Sequence, residues 1–251
     1  MNEFVWKPNS IRKDQWPVVK KALEVMGKGI STQLELRREL DISTGRFSNL
    51  VKTLTREDLI VREIIPLLGR WNLALIRLSE KGKDITPTFC YEDLDDVNLY
   101  SEWEHMLKAH QADDQPKHTA LTLYFAYFAR MCGWTVNVVP NSPARDFYPD
   151  IQIVHDQTKY YFEIETGDRG FPSDPTDKWY KKWDKQLKHQ KRIAMCTLTP
   201  GRLNRYRRMC ETKYWSGFLT DLTTLRQKAK AGELQEFSDL FEMYSPPKRY
   251  H

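Results

Sequence analysis

The sequence predicts a chain of mixed α/β class in two parts. A small helical unit ending in a β-hairpin comes first, and an α/β unit of order helix, three strands, helix, strand follows. Two patterns predict this. Over residues 12–86, three stretches of helical period precede two β-prone runs separated by a glycine turn. Over residues 117–199, a strongly apolar helical stretch precedes alternating runs, then a cationic helix, then a buried run. A third observation marks the second unit: Asp150, Glu163 and Glu165 fall in or beside its central β-prone runs.

Asp14 to Met26 reads as the first helix, with Trp16, Val19, Leu23 and Met26 on one face and Gly27 and Gly29 stopping it. Ser31 is the candidate cap of a second helix, Gln33 to Leu40. Ser43 caps a third, Thr44 to Leu54, which turns Phe47, Leu50, Val51 and Leu54 inward. Leu59–Leu67 and Leu73–Leu78 are the hairpin strands around Gly69-Arg70, and Pro87 ends the unit. The boundaries expected are 1–88 for the first domain, 89–116 for an acidic helical linker and 117–251 for the second domain; within the linker, Tyr91 to His110 reads as a helix with Leu94, Val97, Trp103 and Met106-Leu107 buried.

In the second domain, Lys117 to Met131 is an apolar helix closed by Gly133, and Trp134 to Val139 is a strand. Ile151 to Val154 and Tyr160 to Glu165 are strands that flank the turn-like stretch 155–159. Asp177 to Lys191 is a helix, Ile193 to Leu198 a final strand, Arg202 to Cys210 a basic helix, and 219–251 an apolar helical tail.

The chain has 251 residues, enough for about two domains. It has no apolar run of membrane-spanning length, so no membrane partner is expected. Its N-terminal residues lack the pattern of a signal peptide. Cys90, Cys132, Cys196 and Cys210 are scattered without CxxC spacing, which argues against a zinc site and for reduced thiols in a cytoplasmic protein. Charge is uneven: 16 basic against 11 acidic residues over 1–88, 1 against 8 over 89–115, and 22 against 15 over 116–251. Two basic lobes flanking an acidic segment suit a polyanion such as DNA.

Side chains two apart on a strand share a face, so Glu163 and Glu165 stand together. If the runs on either side of the turn pair as a hairpin, Asp150 joins them. Three converging carboxylates suit a hard cation, Mg²⁺ or Mn²⁺; an edge hairpin with exposed acids is the plain alternative. The helix 177–192 carries Lys178, Lys181, Lys182 and Lys185 in one stripe, either a solvated face that attracts phosphates or a source of one catalytic cation. His110 and His118 lie before or at the start of the apolar helix, where a histidine either approaches the metal site or a phosphate or is a plain helix-end residue without chemistry.

Three helices followed by a hairpin is a winged helix-turn-helix order. Leu50-Val51-Lys52-Thr53-Leu54, Asp58-Leu59-Ile60 and Leu78-Ser79-Glu80-Lys81-Gly82 resemble winged-helix regulators of the MarR type, over about residues 12–86. The resemblance implies that the third helix enters a DNA major groove with Thr44, Arg46, Ser48, Asn49, Lys52 and Thr53 outward, while Arg70 sits at the wing tip. Protein binding or dimerisation is the alternative use of such a lobe.

Pro149-Asp150 and Glu163-x-Glu165, in the order αβββαβ, resemble the PD-(D/E)xK, restriction-endonuclease-like fold. Glu165 stands where that family more often has Lys. The resemblance implies a metal-dependent DNA endonuclease with Asp150, Glu163 and Glu165 as metal ligands and Lys181, Lys182 or Lys185 as the displaced cation. The pairing of a winged helix with this core, and the segments Lys117–Leu121 and Phe162–Gly167, is similar to the replication-relaxation family linked to plasmid mobilisation. That implies an accessory role in mobile-element DNA processing, with a relaxase or a second copy as further partners. A non-catalytic DNA-binding regulator on a degenerate nuclease fold is the alternative.

Overall fold

The computed structural model describes residues 11–68, 71–89, 99–110, 115–140, 147–166 and 177–246. The chain divides into two compact units, Met1–Pro116 and Lys117–His251.

In the first unit a 3₁₀ turn, Lys13–Gln15, leads into α1, Trp16–Gly27, followed by α2, Gln33–Leu40, and α3, Thr44–Arg56. Thr32, not Ser31, caps α2: its Oγ1 accepts from the Glu35 amide at 3.2 Å. Ser31 is diverted elsewhere, with its hydroxyl on Gly29 O and on the Trp103 amide. Asp41 turns the chain between α2 and α3 in the left-handed region, φ 48°, and Ser43 caps α3 as expected. β1, Ile60–Leu68, and β2, Trp71–Leu78, pair antiparallel. A single bridge joins Thr32 to Leu75, so the segment before α2 touches the hairpin. Leu23, Met26, Leu36, Leu54, Leu59 and Ile76 are fully buried together. This is a winged-helix-like arrangement.

Two expectations are corrected here. Pro87 does not end the unit: α4 runs Glu80–Phe89 with Pro87 inside it. The proline sits in the final turns, where it forfeits one helical bond, and Ile85 and Thr86 are already buried before it. The segment 89–116 is not wholly a linker either. It contains α5, Glu102–His110, whose Trp103 and Met106 are buried. Glu104 of α5 bonds Lys83 at 2.6 Å and Arg77 at 3.4 Å, which joins α5 to α4 and β2. The helix and its buried Trp103 and Met106 are as expected; its packing against α4 and β2 is not, because the partners of Glu104 lie far back in the chain. Residues 90–98 lie outside the described residues.

The second unit opens with α6, Pro116–Met131, buried on nearly every side from Thr119 to Ala129. A helix apolar all round belongs inside a fold. β3 (Thr135–Val138), β4 (Ile151–His155) and β5 (Thr158–Glu165) follow as an antiparallel meander. Asp156 and Gln157, both at positive φ, form the tight turn between β4 and β5. α7 (Asp177–Gln190) then crosses to β6 (Ile193–Thr197), and α8 (Pro200–Lys213) crosses to β7 (Gly217–Asp221). Both crossovers give parallel pairs, which need a connection of this length. α9 (Leu222–Ala231), α10 (Phe237–Leu240) and β8 (Glu242–Tyr244) complete a six-stranded sheet of order β3-β4-β5-β6-β7-β8.

The expected order αβββαβ is present over 116–197, but β6 is not the last strand and 219–251 is not a helical tail. Gly217 to Asp221 is buried throughout, as a strand covered on both faces must be. Gly217 lets it approach β6 closely, since a Cβ there would meet Ile193 O at 3.0 Å. Phe125 of α6 packs on Phe162 of β5, with ring centroids 5.1 Å apart. Trp183 of α7 and Tyr206 of α8 pack with Ile193, Met195 and Leu219 on the other face. Between β5 and β6 the buried Gln186 replaces ladder bonds. Its amide nitrogen donates to Tyr161 O and Ala194 O, and its oxygen accepts from the Ala194 amide.

Candidate functional site

α3 separates its side chains cleanly. Phe47, Leu50, Val51 and Leu54 are buried, while Thr44, Arg46, Ser48, Asn49 and Lys52 are exposed and Thr53 is half-buried. Thr44 Oγ1 accepts from Arg37 at 3.2 Å, so α2 braces the start of the exposed row. Arg70, the expected wing-tip contact, lies outside the described residues, as do the side chains of Lys178 and His110.

In the second unit the hairpin brings Asp150 to β5: its amide donates to Phe162 O, one residue before Ile151 pairs with Phe162. Asp150 is buried, and both its oxygens accept hydrogen bonds. Oδ2 takes the Ile164 amide at 2.7 Å and Oδ1 lies 3.0 Å from His118 Nε2. Glu163 is buried and Glu165 half-buried on the same side of β5. Lys182 of α7 reaches both, with Nζ 2.8 Å from Glu163 Oε2 and 2.7 Å from Glu165 Oε1. Tyr206 of α8 adds a hydrogen bond to Glu165.

These neighbours set the protonation of the cluster. Burial pushes the Glu163 carboxyl up to about 7, against the pull of the Lys182 ammonium. Burial also acts on Asp150, but the facing His118 and the Ile164 amide outweigh it, and its carboxyl stays below the ordinary range. His118 is raised, because Asp150 overcomes the cost of burying an imidazolium. Lys182 is raised in the same way: burial opposes its charge and Glu163, Glu165 and Asp150 prevail. Burial and the neighbouring Glu165 lift the Tyr206 phenol.

Of the three candidate lysines, Lys182 is the one in contact with Glu163 and Glu165; Lys181 and Lys185 are exposed on the outer side of α7. The arrangement does not fit a divalent ion as it stands. Both Asp150 oxygens are engaged, and an ammonium holds the space between Glu163 and Glu165. Among the described residues no group of three His, Cys, Asp or Glu side chains is placed to hold a metal. Of the two readings of His118, the structure shows the approach to the acid cluster. A histidine two residues into a helix that is buried all round was the available signal. Nothing in the sequence marked Tyr206, which lies forty-one residues from its partner.

No family model and no curated protein matches this chain. Among solved structures, the crystal structure of a MepR mutant from a multidrug resistant S. aureus clinical isolate aligns with 43% of this chain and 73% of its own, at 18% identity and a TM-score of 0.26. The winged-helix-like arrangement of the first unit is set by its element order and strand pairing. No helix among the described residues is long and apolar enough to cross a membrane.

Proposed function

We propose that this chain is a DNA-binding protein that sets α3 in the major groove and carries a restriction-endonuclease-like core as a non-catalytic second unit. The observation that carries the reading is the two-sided α3: its apolar side is locked into the core while Arg46, Asn49 and Lys52 stand free of it. Arg and Asn can each pair twice with a base edge, and Lys, Ser and Thr hold phosphates. The basic charge of the lobe supplies the attraction, 16 cations against 11 acids over 1–88. Anisotropy of a labelled duplex across a salt series tests it. Salt-sensitive binding weakened by Arg46→Ala and Lys52→Ala supports the reading; wild-type indifference to DNA at low salt overturns it.

Metal-dependent phosphodiester cleavage with Mg²⁺ or Mn²⁺ is the second reading, favoured by the convergence of Asp150, Glu163 and Glu165 at one end of the sheet. The order αβββαβ and the resemblance to the replication-relaxation family agree with either reading. Nicking of supercoiled plasmid that needs the metal and disappears in Asp150→Ala would establish cleavage; DNA binding without nicking would leave the non-catalytic reading in place.

A further inference from the structure

We infer that the Lys182 ammonium is the resident cation of the Asp150–Glu163–Glu165 cluster, standing in the place a divalent ion would take and stabilising the second unit without metal. The inference concerns the second unit alone and does not depend on DNA binding by the first.

Three carboxylates held at one sheet end repel one another and need a positive group among them. Here that group comes from α7. Lys182 Nζ lies 2.8 Å from Glu163 Oε2 and 2.7 Å from Glu165 Oε1, both within the range of charge-assisted bonds. A Mg²⁺ ion bound by those two oxygens would sit about 2.1 Å from each, and that volume cannot be shared with an ammonium group. The remaining acid is also taken: Asp150 is held by His118 and by the Ile164 amide. Lys182 is itself fixed. Its helix is anchored one residue on by Trp183, fully buried against β6 and α8. Four residues on, Gln186 is tied to both β5 and β6. The ammonium also lies 5.1 Å from the Trp183 ring centroid. Withdrawal of Lys182 would thus leave Glu163 buried and Glu165 beside it with no cation between them. Oxygens placed to grip one ammonium from two sides are also placed to receive a metal ion once it is gone.

The test is Mn²⁺ binding, read by the electron paramagnetic resonance of free Mn²⁺, together with Tm measured with and without Mn²⁺, on the full chain. Wild type is expected to bind no Mn²⁺ at this cluster, so that Asp150→Asn and Glu163→Gln leave its titration unchanged, and its Tm is expected not to move with Mn²⁺. Lys182→Met is expected to lose roughly 5–10 °C in Tm without metal, to bind one equivalent of Mn²⁺ and to recover the loss when it does; adding Glu163→Gln should abolish that binding. Wild-type Mn²⁺ binding that Asp150→Asn removes would overturn the proposal, because a metal would then enter despite Lys182. Lys182→Met with wild-type Tm and no Mn²⁺ binding would also overturn it. If Lys182→Met does not fold, the wild-type titration with its two acid variants still decides.

Discussion

His118 Nε2 lies 3.0 Å from Asp150 Oδ1, which ties the start of α6 to the start of β4 across the second unit. Asp150 is buried and His118 half-buried, and each holds the other in its charged form: Asp150 lowered, His118 raised. Removing one partner leaves the other as an uncompensated buried charge. His118→Ala is expected to cost about 3–5 kcal/mol. His118→Gln, which can still donate to Oδ1, should recover part of it. The measurement is the urea midpoint at constant m-value, which isolates stability from changes in compactness. A His118→Ala midpoint equal to wild type would show that the pair contributes nothing net.

The same cluster predicts the direction of pH dependence. Burial first raises Glu163 from 4.5 to about 7, so the folded chain keeps a proton that the unfolded chain releases above 4.5. Stability must fall as pH rises from about 4.5 to about 7. His118 acts in the same direction: its raised folded value gives stability that is complete below the ordinary 6.5 and lost as pH rises through the folded value. Asp150 acts oppositely, since its lowered value gives stability lost only as pH falls below the ordinary 3.8. Tm should therefore decline between about pH 5 and pH 8. Glu163→Gln should flatten that decline, because a neutral amide can still accept from Lys182. A rising Tm over this range in wild type would contradict the assignment.

Sequence patterns revealed the cluster's acids and its cation but not their shared geometry. Glu163 and Glu165 were legible because the two-residue period of a strand puts them on one side, and Asp150 because a tight turn after His155 folds β4 onto β5. Lys182 was legible only as one of several lysines. Choosing it requires knowing which side of α7 faces the sheet, and that is set by Trp183 and Gln186. β7 was missed because Phe218, Leu219 and Thr220, between Gly217 and Asp221, are too short a run to show a period that separates strand from helix. α5 was missed as part of the first unit because its acid, Glu104, is neutralised by Lys83 and Arg77. In the first unit the helical periods and the Ser43 cap read through directly, since each is local.

Gly82 offers a test of the first unit's packing. It lies in α4, where its Cα passes against the backbone carbonyl of Leu59, and a Cβ would collide with that oxygen. The neighbours cannot give way cheaply: the Ser79 amide donates to that same carbonyl at 3.0 Å, and the Ser79 hydroxyl accepts from the Gly82 amide at 3.0 Å. Gly82→Ala usually favours a helix by about 1 kcal/mol, but here overpacking should win and cost about 1–3 kcal/mol or more. Gly45, with open space around its position, is the control: Gly45→Ala should be neutral or stabilising. Thermal melts of both variants distinguish close packing from a general intolerance of alanine.

The exposed side of α3 makes the sharpest functional prediction, because its residues divide by chemistry. Arg46 and Asn49 lie three apart, one turn along the same helix, and both are exposed. If they read base edges, Arg46→Ala or Asn49→Ala should cost about 1–3 kcal/mol on a preferred duplex and far less on a random one. Lys52 stands further along the helix, where it would meet phosphate. Lys52→Ala should weaken all duplexes alike and lower the slope of log K against log salt by about 1. Duplexes selected from a random pool with wild type, then titrated against each variant, separate the two behaviours. Equal losses on selected and random DNA for all three variants would mean that α3 lies along the backbone and reads no sequence.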